Sequence, residues 1–500
     1  MRVPGWTRSQ IVSAAAESEA PERVPPATLL GSRAVSNTAV VLGARVLSRL
    51  AALVMVLVMA RHLGDAGYGR YTTLVAYSGL ISIIADPGLS SLYTREAARA
   101  PDRMHRYLST LLSAKVVLAA AGSAVFAVAL HVAGLGDLVV PGIALMYMTT
   151  FATQLRNTFY AIGRLEFEAV AIIGETAVQA GMIWWGAHAG AGVGWFVWAY
   201  AASYAFTALY SLGVIAGFRL ARLRIGFDAR LLAGWLRAAA PFALTMMLTN
   251  LYWRVDVPIL GHFRSFQEVG WYQLAYKPFE SLQFLPLAVQ TVAYPLLGVY
   301  HQRRAAGLDL AYERVFKVLL VMGWPLTVGT FLLVHPIGRL FGLFPQSEPS
   351  LRILAWGIVF LFLNSAFAAM LYATDRQHQF ALVSGLAVVL NLVLNLALIP
   401  LQGYLAASAT TVVTEAALAL AAWWCLRRGG HRLPWLRVGW RIVLAGAIMG
   451  VVLIPIVQTS FPIAVALGGL AYVLALGALG AVSREELVLL ARGLRRRGAD

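Results

Sequence analysis

Apolar residues in this chain come in runs of about twenty, separated by short polar connections, and the pattern recurs to the C-terminal end. A helix of that length crosses a bilayer, because each residue rises about 1.5 Å and the hydrocarbon layer is about 30 Å thick. The runs cover 36–60, 70–92, 108–132, 138–161, 168–187, 194–217, 236–261, 270–298, 313–335, 351–373, 379–399, 404–425, 440–458 and 462–481. They predict an all-α polytopic membrane protein with about fourteen transmembrane helices. The eighth run is long and holds Pro278, Pro286 and Pro295, so a kink is expected there.

The connections orient these runs. Arg95, Arg99, Arg103 and Arg106 follow the second, and Arg219, Arg222, Arg224, Arg230 and Arg237 follow the sixth. Arg303, Arg304, Arg314 and Lys317 follow the eighth, and Arg427, Arg428, Arg432 and Arg437 follow the twelfth. The opposite loops, such as "GAHAGAGV" and "PLQG", carry no Lys or Arg. Basic loops stay on the cytoplasmic side, so both termini are expected there. Residues 1–34 are polar and lack the apolar core of a cleavable signal, and a disordered cytoplasmic tail is expected. Residues 483–500 form a basic tail.

A short repeat divides the chain. Asp65-Ala66-Gly67-Tyr68 precedes the second run and Glu268-Val269-Gly270-Trp271 precedes the eighth. An offset of six spans implies parallel pseudo-repeats. The expected organisation is an N-lobe at 35–225, a C-lobe at 226–430 and a trailing helix pair at 431–482. The lobes would enclose a central cationic cavity.

Composition removes other classes. The chain is 59% hydrophobic and 13% charged, whereas soluble domains carry about 25% charged residues. A soluble enzyme is excluded. The net charge of +17 belongs to the basic loops, and no nucleic-acid partner is expected. A single cysteine, Cys425, allows no disulfide or cysteine metal site within the chain. There is no G-x-x-x-x-G-K-[ST] loop, and the nine His lack metal-site spacing. No metal, cofactor or catalytic residue is expected.

What remains unexplained is charge inside the spans. Arg at a span's centre costs roughly 2.5–3.5 kcal/mol on insertion scales. Arg45 and Arg49 are four apart in the first run, on one helix face with Asn37. Snorkelling, or pairing with Asp256, Glu175 or Glu280, competes with a ligand-facing role. Arg254 and Asp256 lie in the seventh run, and Arg254 is the repeat's counterpart of the first-run arginines. Gln273, Lys277, Glu280, Gln283 and Gln290 form one polar face on the eighth run. Glu280 can pair with Lys277 at i+3. Lys115 and Glu175 are single buried charges, open to a structural or a functional reading. Asp86 sits before the Pro87-Gly88 break, where it can cap local backbone. Arg45, Arg49, Arg254 and Lys277 are the candidate ligand residues. Asn37, Asp86, Lys115, Glu175, Asp256, Gln273, Glu280 and Gln283 are candidate lining residues or charge partners. A cavity rich in arginine suits a phosphate, which the guanidinium fork binds bidentately.

The stretch from Ser36 to Arg99 resembles the N-terminus of polysaccharide-biosynthesis flippases of the Wzx type, within the multidrug/oligosaccharidyl-lipid/polysaccharide exporter superfamily. The shared features are the arginine-bearing first span, Leu63-Gly64, Tyr68-Gly69-Arg70-Tyr71, Asp86-x-Gly88 and Arg95-Glu96-Ala97. "QLRNTFYAIGRLEFEAV" resembles the family's exit from span four. The resemblance implies an inward-open V of two six-helix lobes in a bacterial inner membrane. Its cargo would be an undecaprenyl-diphosphate-linked glycan, with the diphosphate on Arg45, Arg49 and Arg254. Glycosyltransferases and a polymerase of the same route would be partners of an otherwise monomeric transporter. Lipid II is the alternative cargo. A multidrug exporter or a membrane-embedded glycan ligase or glycosyltransferase fits the buried arginines and short outer loops less well.

Overall fold

The computed structural model describes residues 27–220, 226–303, 307–431, 433, 435–457 and 460–481, with side chains described from Val41 onward except at 42 and 435–438. Most of the expected N-terminal tail and all of the C-terminal tail lie outside these residues, as does the Asn37 side chain. The backbone is already helical at Ala27.

The first bundle comprises α1 (Ala27–Ala85), α2 (Leu89–Arg99), α3 (Met104–Val132), α4 (Val139–Ala161), α5 (Leu165–His188) and α6 (Val193–Gly217). The second comprises α7 (Ala229–Arg254), α8 (Asp256–Phe263), α9 (Phe266–Leu282), α10 (Phe284–Gln302), α11 (Leu308–Leu332), α12 (Val334–Phe341), α13 (Ser347–Ala373) and α14 (Gln377–Arg428). A last pair, α15 (Trp435–Ile456) and α16 (Phe461–Ala478), packs on α11. Trp324 Nε1 donates to the Val443 carbonyl at 3.2 Å, and Tyr472 Oη to that of Val321 at 3.1 Å. Among the described residues, eleven helical stretches are long and apolar enough to cross a membrane. This is an all-helical, multi-pass membrane protein. Leu165–His188 is not among the eleven, and two of them contain a non-helical glycine, so the fourteen crossings remain an expectation of the hydropathy pattern.

Three breaks shape the bundles. Gly64 (φ 67°, ψ 179°) divides α1, and Gly403 (φ 61°, ψ −139°) divides α14. Both need a positive φ that side chains other than glycine's rarely adopt. Gly403 is required twice, because an added Cβ would overlap a Glu268 carboxylate oxygen. That oxygen accepts the Tyr404 N–H at 3.1 Å, so Glu268 satisfies backbone that the break leaves open. The third break, at Gln283, separates α9 from α10. Pro286 causes it: its ring crowds the Leu282 carbonyl and supplies no N–H to it.

The two bundles meet at two levels. At one end α1 packs on α9 through glycines, since a Cβ on Gly69 would overlap the Phe266 carbonyl and one on Gly270 the Asp65 carbonyl. Trp271 Nε1 also donates to Asp65 Oδ2 at 3.0 Å. The repeated four-residue segments are thus joined across the interface. At the other end α7 lies against α2 and α3. A Cβ on Gly88 would stand 2.8 Å from Phe242 Cβ and 3.0 Å from the Ala243 nitrogen. Arg106 hydrogen-bonds Asp228 there, and Arg95 lies over the Phe242 ring at 5.7 Å. The Leu231 N–H and then Arg106 hold the Asp228 carboxyl below its usual range. An open V is therefore not what the chain adopts. The bare Gly88 backbone admits α7, and the bundles touch on both sides of the space between them.

Candidate functional site

Between these contact levels lies a cavity of about 220 Å³. α7 presents Met246, Asn250 and Arg254 to it at four-residue spacing, one face continuous with the Phe242 contact. α1 presents Ser78, Gly79 and Ser82, and Asp86 follows at its end. Threonines of α4 and Tyr200 of α6 complete a wall rich in hydroxyls.

Arg254 is the cation of this cavity. A Cβ on Gly79 would stand 2.8 Å from both its Cδ and its Nε, so only glycine lets the side chain lie along α1. Among the described residues its guanidinium makes no hydrogen bond or ion pair, which leaves its five donors for a ligand. Asp256, two residues on, does not neutralise it. α7 ends at Arg254, and buried Asp256 instead accepts from Tyr272 Oη and from the Val257 N–H at 2.9 Å.

The other candidates divide into three groups. Lys277 and Glu280 form an ion pair at 2.8 Å on α9, within electrostatic reach of Arg254 and Arg49. Gln273 and Gln283 are half-buried on the same stretch, and the Gln283 amide nitrogen is buried without a partner. Arg49 is exposed and makes no hydrogen bond or ion pair among the described residues. Arg45 lies one turn away and, although exposed, is engaged by groups of the first bundle. It donates to Tyr160 Oη and stands 3.7 Å from fully buried Glu168. Glu168 also accepts from Tyr160 at 2.7 Å and pairs with Arg156 at 3.3 Å. Arg156 reaches Glu175 at 3.1 Å, and Thr207 donates to Glu175 at 2.9 Å. Glu175 is thus held in a charge network. Lys115 and Asp86 pair with each other at 3.0 Å.

Arg45 therefore has an acidic partner, but it is Glu168, not the three acids weighed from the sequence. Asn250 and the hydroxyl wall carry no charge and so do not stand out in the pattern of buried charges. Asn250 is four residues before Arg254, and that spacing was the signal available. Among the described residues no cluster of His, Cys, Asp and Glu could hold a metal ion.

Two helical bundles about an interlobe cavity with an unpaired arginine make up this fold, and the fold is similar to that of solved transporters, one of them of the MOP superfamily. Similar solved structures include one of the lipid II flippase MurJ in an inward-closed conformation (TM-score 0.70, 16% identity, 87% of this chain and 97% of that one). Another is an inward-facing multidrug resistance MATE transporter of that superfamily (TM-score 0.58, 13% identity, 76% of this chain and 94% of that one). The polysaccharide biosynthesis protein model matches residues 34–301, more than half of the chain, and the MatE model matches 241–397. The chain belongs to the polysaccharide biosynthesis protein family. No curated protein matches it significantly.

Proposed function

We propose that this protein is a flippase that carries an undecaprenyl-diphosphate-linked oligosaccharide from the cytoplasmic to the outer leaflet for surface polysaccharide export. The observation that carries the reading is Arg254, an unpaired arginine in a hydroxyl-lined cavity between two lobes. Arginine is the side chain best matched to a diphosphate, because it offers paired donors and never loses its charge. Hydroxyls and Asn250 suit a sugar, and the lipid tail would remain in the bilayer. Alternating access follows if the contacts at Gly69–Gly270 and Gly88–Phe242 open in turn. The chain would sit in a bacterial inner membrane with both termini cytoplasmic, as a monomer beside glycosyltransferases and a polymerase. Lipid II as cargo is a second reading, favoured by the likeness to MurJ.

The two first-span arginines separate this reading from a purely structural one. Arg49 is free to meet the diphosphate, whereas Arg45 already serves Tyr160 and Glu168. A charge-assisted hydrogen bond is worth about 1.5–3 kcal/mol, so Arg49→Ala should lower export by about tenfold or more. Arg45→Ala should instead lower thermal stability more than export per folded molecule. Complementation of a flippase-null strain, normalised to membrane protein level, measures both. Full export by Arg49→Ala would remove Arg49 from the ligand site.

A further inference from the structure

Among the described residues two formal charges line the cavity, Asp86 and Arg254, and they do not pair with each other. Asp86 is instead held from behind. Lys115, on α3 and fully buried, donates its ammonium to Asp86 Oδ2 at 3.0 Å and to Ser90 Oγ at 2.8 Å. The Ser90 N–H donates to Asp86 Oδ1 at 3.1 Å, and Ser90 Oγ donates to buried Gln154 Oε1 at 3.1 Å. Asp86 keeps 17% of its side chain exposed while Lys115 exposes none. The acid therefore shows on the cavity side and its counter-charge does not.

A bare carboxylate in this wall would cancel Arg254 for any ligand between them and would attract cations. With Lys115 behind it, Asp86 adds little net field, and Arg254 is left as the charge of the cavity wall that has no hydrogen-bonded or ion-paired partner among the described residues. Beside a protein wall, where the effective dielectric is well below that of water, such a charge acts over several ångströms. We infer that Lys115 sets the polarity of the cavity, neutralising Asp86 from the rear so that the site accepts anions and refuses cations. Lys115 is a specificity-determining residue that does not touch the cargo. This deepens the flippase reading and rests on it in one respect, that the cargo's anionic group occupies this cavity.

The test uses the full-length protein in lipid nanodiscs with two probes, inorganic pyrophosphate and the tetraphenylphosphonium cation, followed by calorimetry. The unaltered protein should bind pyrophosphate and not the cation. Lys115→Met should weaken pyrophosphate by about tenfold or more and introduce binding of the cation. Asp86→Asn should bind pyrophosphate more tightly, because Lys115 then adds to Arg254. Lys115→Met with Asp86→Asn should restore the original preference. A merely structural Lys115 could lose pyrophosphate binding but could not create a cation site or be rescued by removing its partner. If the unaltered protein binds no pyrophosphate, the cargo reading falls and this inference with it. If it binds pyrophosphate but Lys115→Met still binds pyrophosphate as tightly and does not bind the cation, the polarity role is overturned and the cargo reading stands. Should Lys115→Met not fold, the other two variants decide: unchanged or weaker pyrophosphate binding by Asp86→Asn, or none by a folded double variant, overturns it.

Discussion

Arg254→Gln should abolish export while the protein still inserts and folds. Most buried cations are poor targets for such a test, because removing one orphans a buried acid at a cost of about 3–5 kcal/mol. Arg254 differs: among the described residues no acid or carbonyl is hydrogen-bonded or ion-paired to it, and its stem lies along Gly79. Glutamine keeps part of that stem and some hydrogen bonding but loses the charge and the fork. Two charge-assisted bonds at about 1.5–3 kcal/mol each correspond to a loss of about a hundredfold or more in diphosphate affinity. Lysine should recover part of it, as a point charge without bidentate geometry. Surface polysaccharide in a flippase-null strain, with protein level checked by immunoblot, is the readout. Undiminished export by Arg254→Gln would mean that the cavity does not hold the cargo's anionic group.

The second large effect concerns the other contact level. Gly270→Val would drive a side chain into the Asp65 carbonyl, which is backbone and cannot rotate aside. Overpacking of this kind costs about 1–3 kcal/mol, and here that cost falls only on the state in which α1 and α9 touch. The closed population at that end should fall by about tenfold or more, and export should fail because one half of the cycle is disfavoured. Spin labels at Asp137→Cys and Gln267→Cys, both exposed, report on the two bundles once Cys425 is replaced by serine. The distance between them should lengthen in Gly270→Val. An unchanged distance distribution together with normal export would show that this contact is not a gate.

Much of the architecture was legible because hydrophobic length is a direct consequence of bilayer thickness. The two four-residue segments read as a repeat prove to touch, with Trp271 bonded to Asp65. What the hydropathy pattern conceals is geometry within an apolar run. Gly64 and Gly403 break helices through φ, with no change in polarity to announce it. Partners distant in sequence were also hidden. Arg45 meets Glu168 because α1 packs on α5, and Lys115 meets Asp86 because α3 packs on α1. Each charge could be seen singly, but which pairs cancel is decided by packing. The closed contact at Gly88 was equally unreadable, since the proposed alternating cycle would require the same sequence to support an open state as well.

The central claim is that the cavity moves an intact lipid-linked glycan across the membrane. Purified protein reconstituted into liposomes with a fluorescently labelled undecaprenyl-diphosphate oligosaccharide tests it directly, with outer-leaflet label read by a membrane-impermeant quencher. Leaflet exchange with the labelled lipid chemically unchanged, lost in Arg254→Gln, is the predicted result. A new covalent product, or exchange that Arg254→Gln leaves untouched, would contradict it.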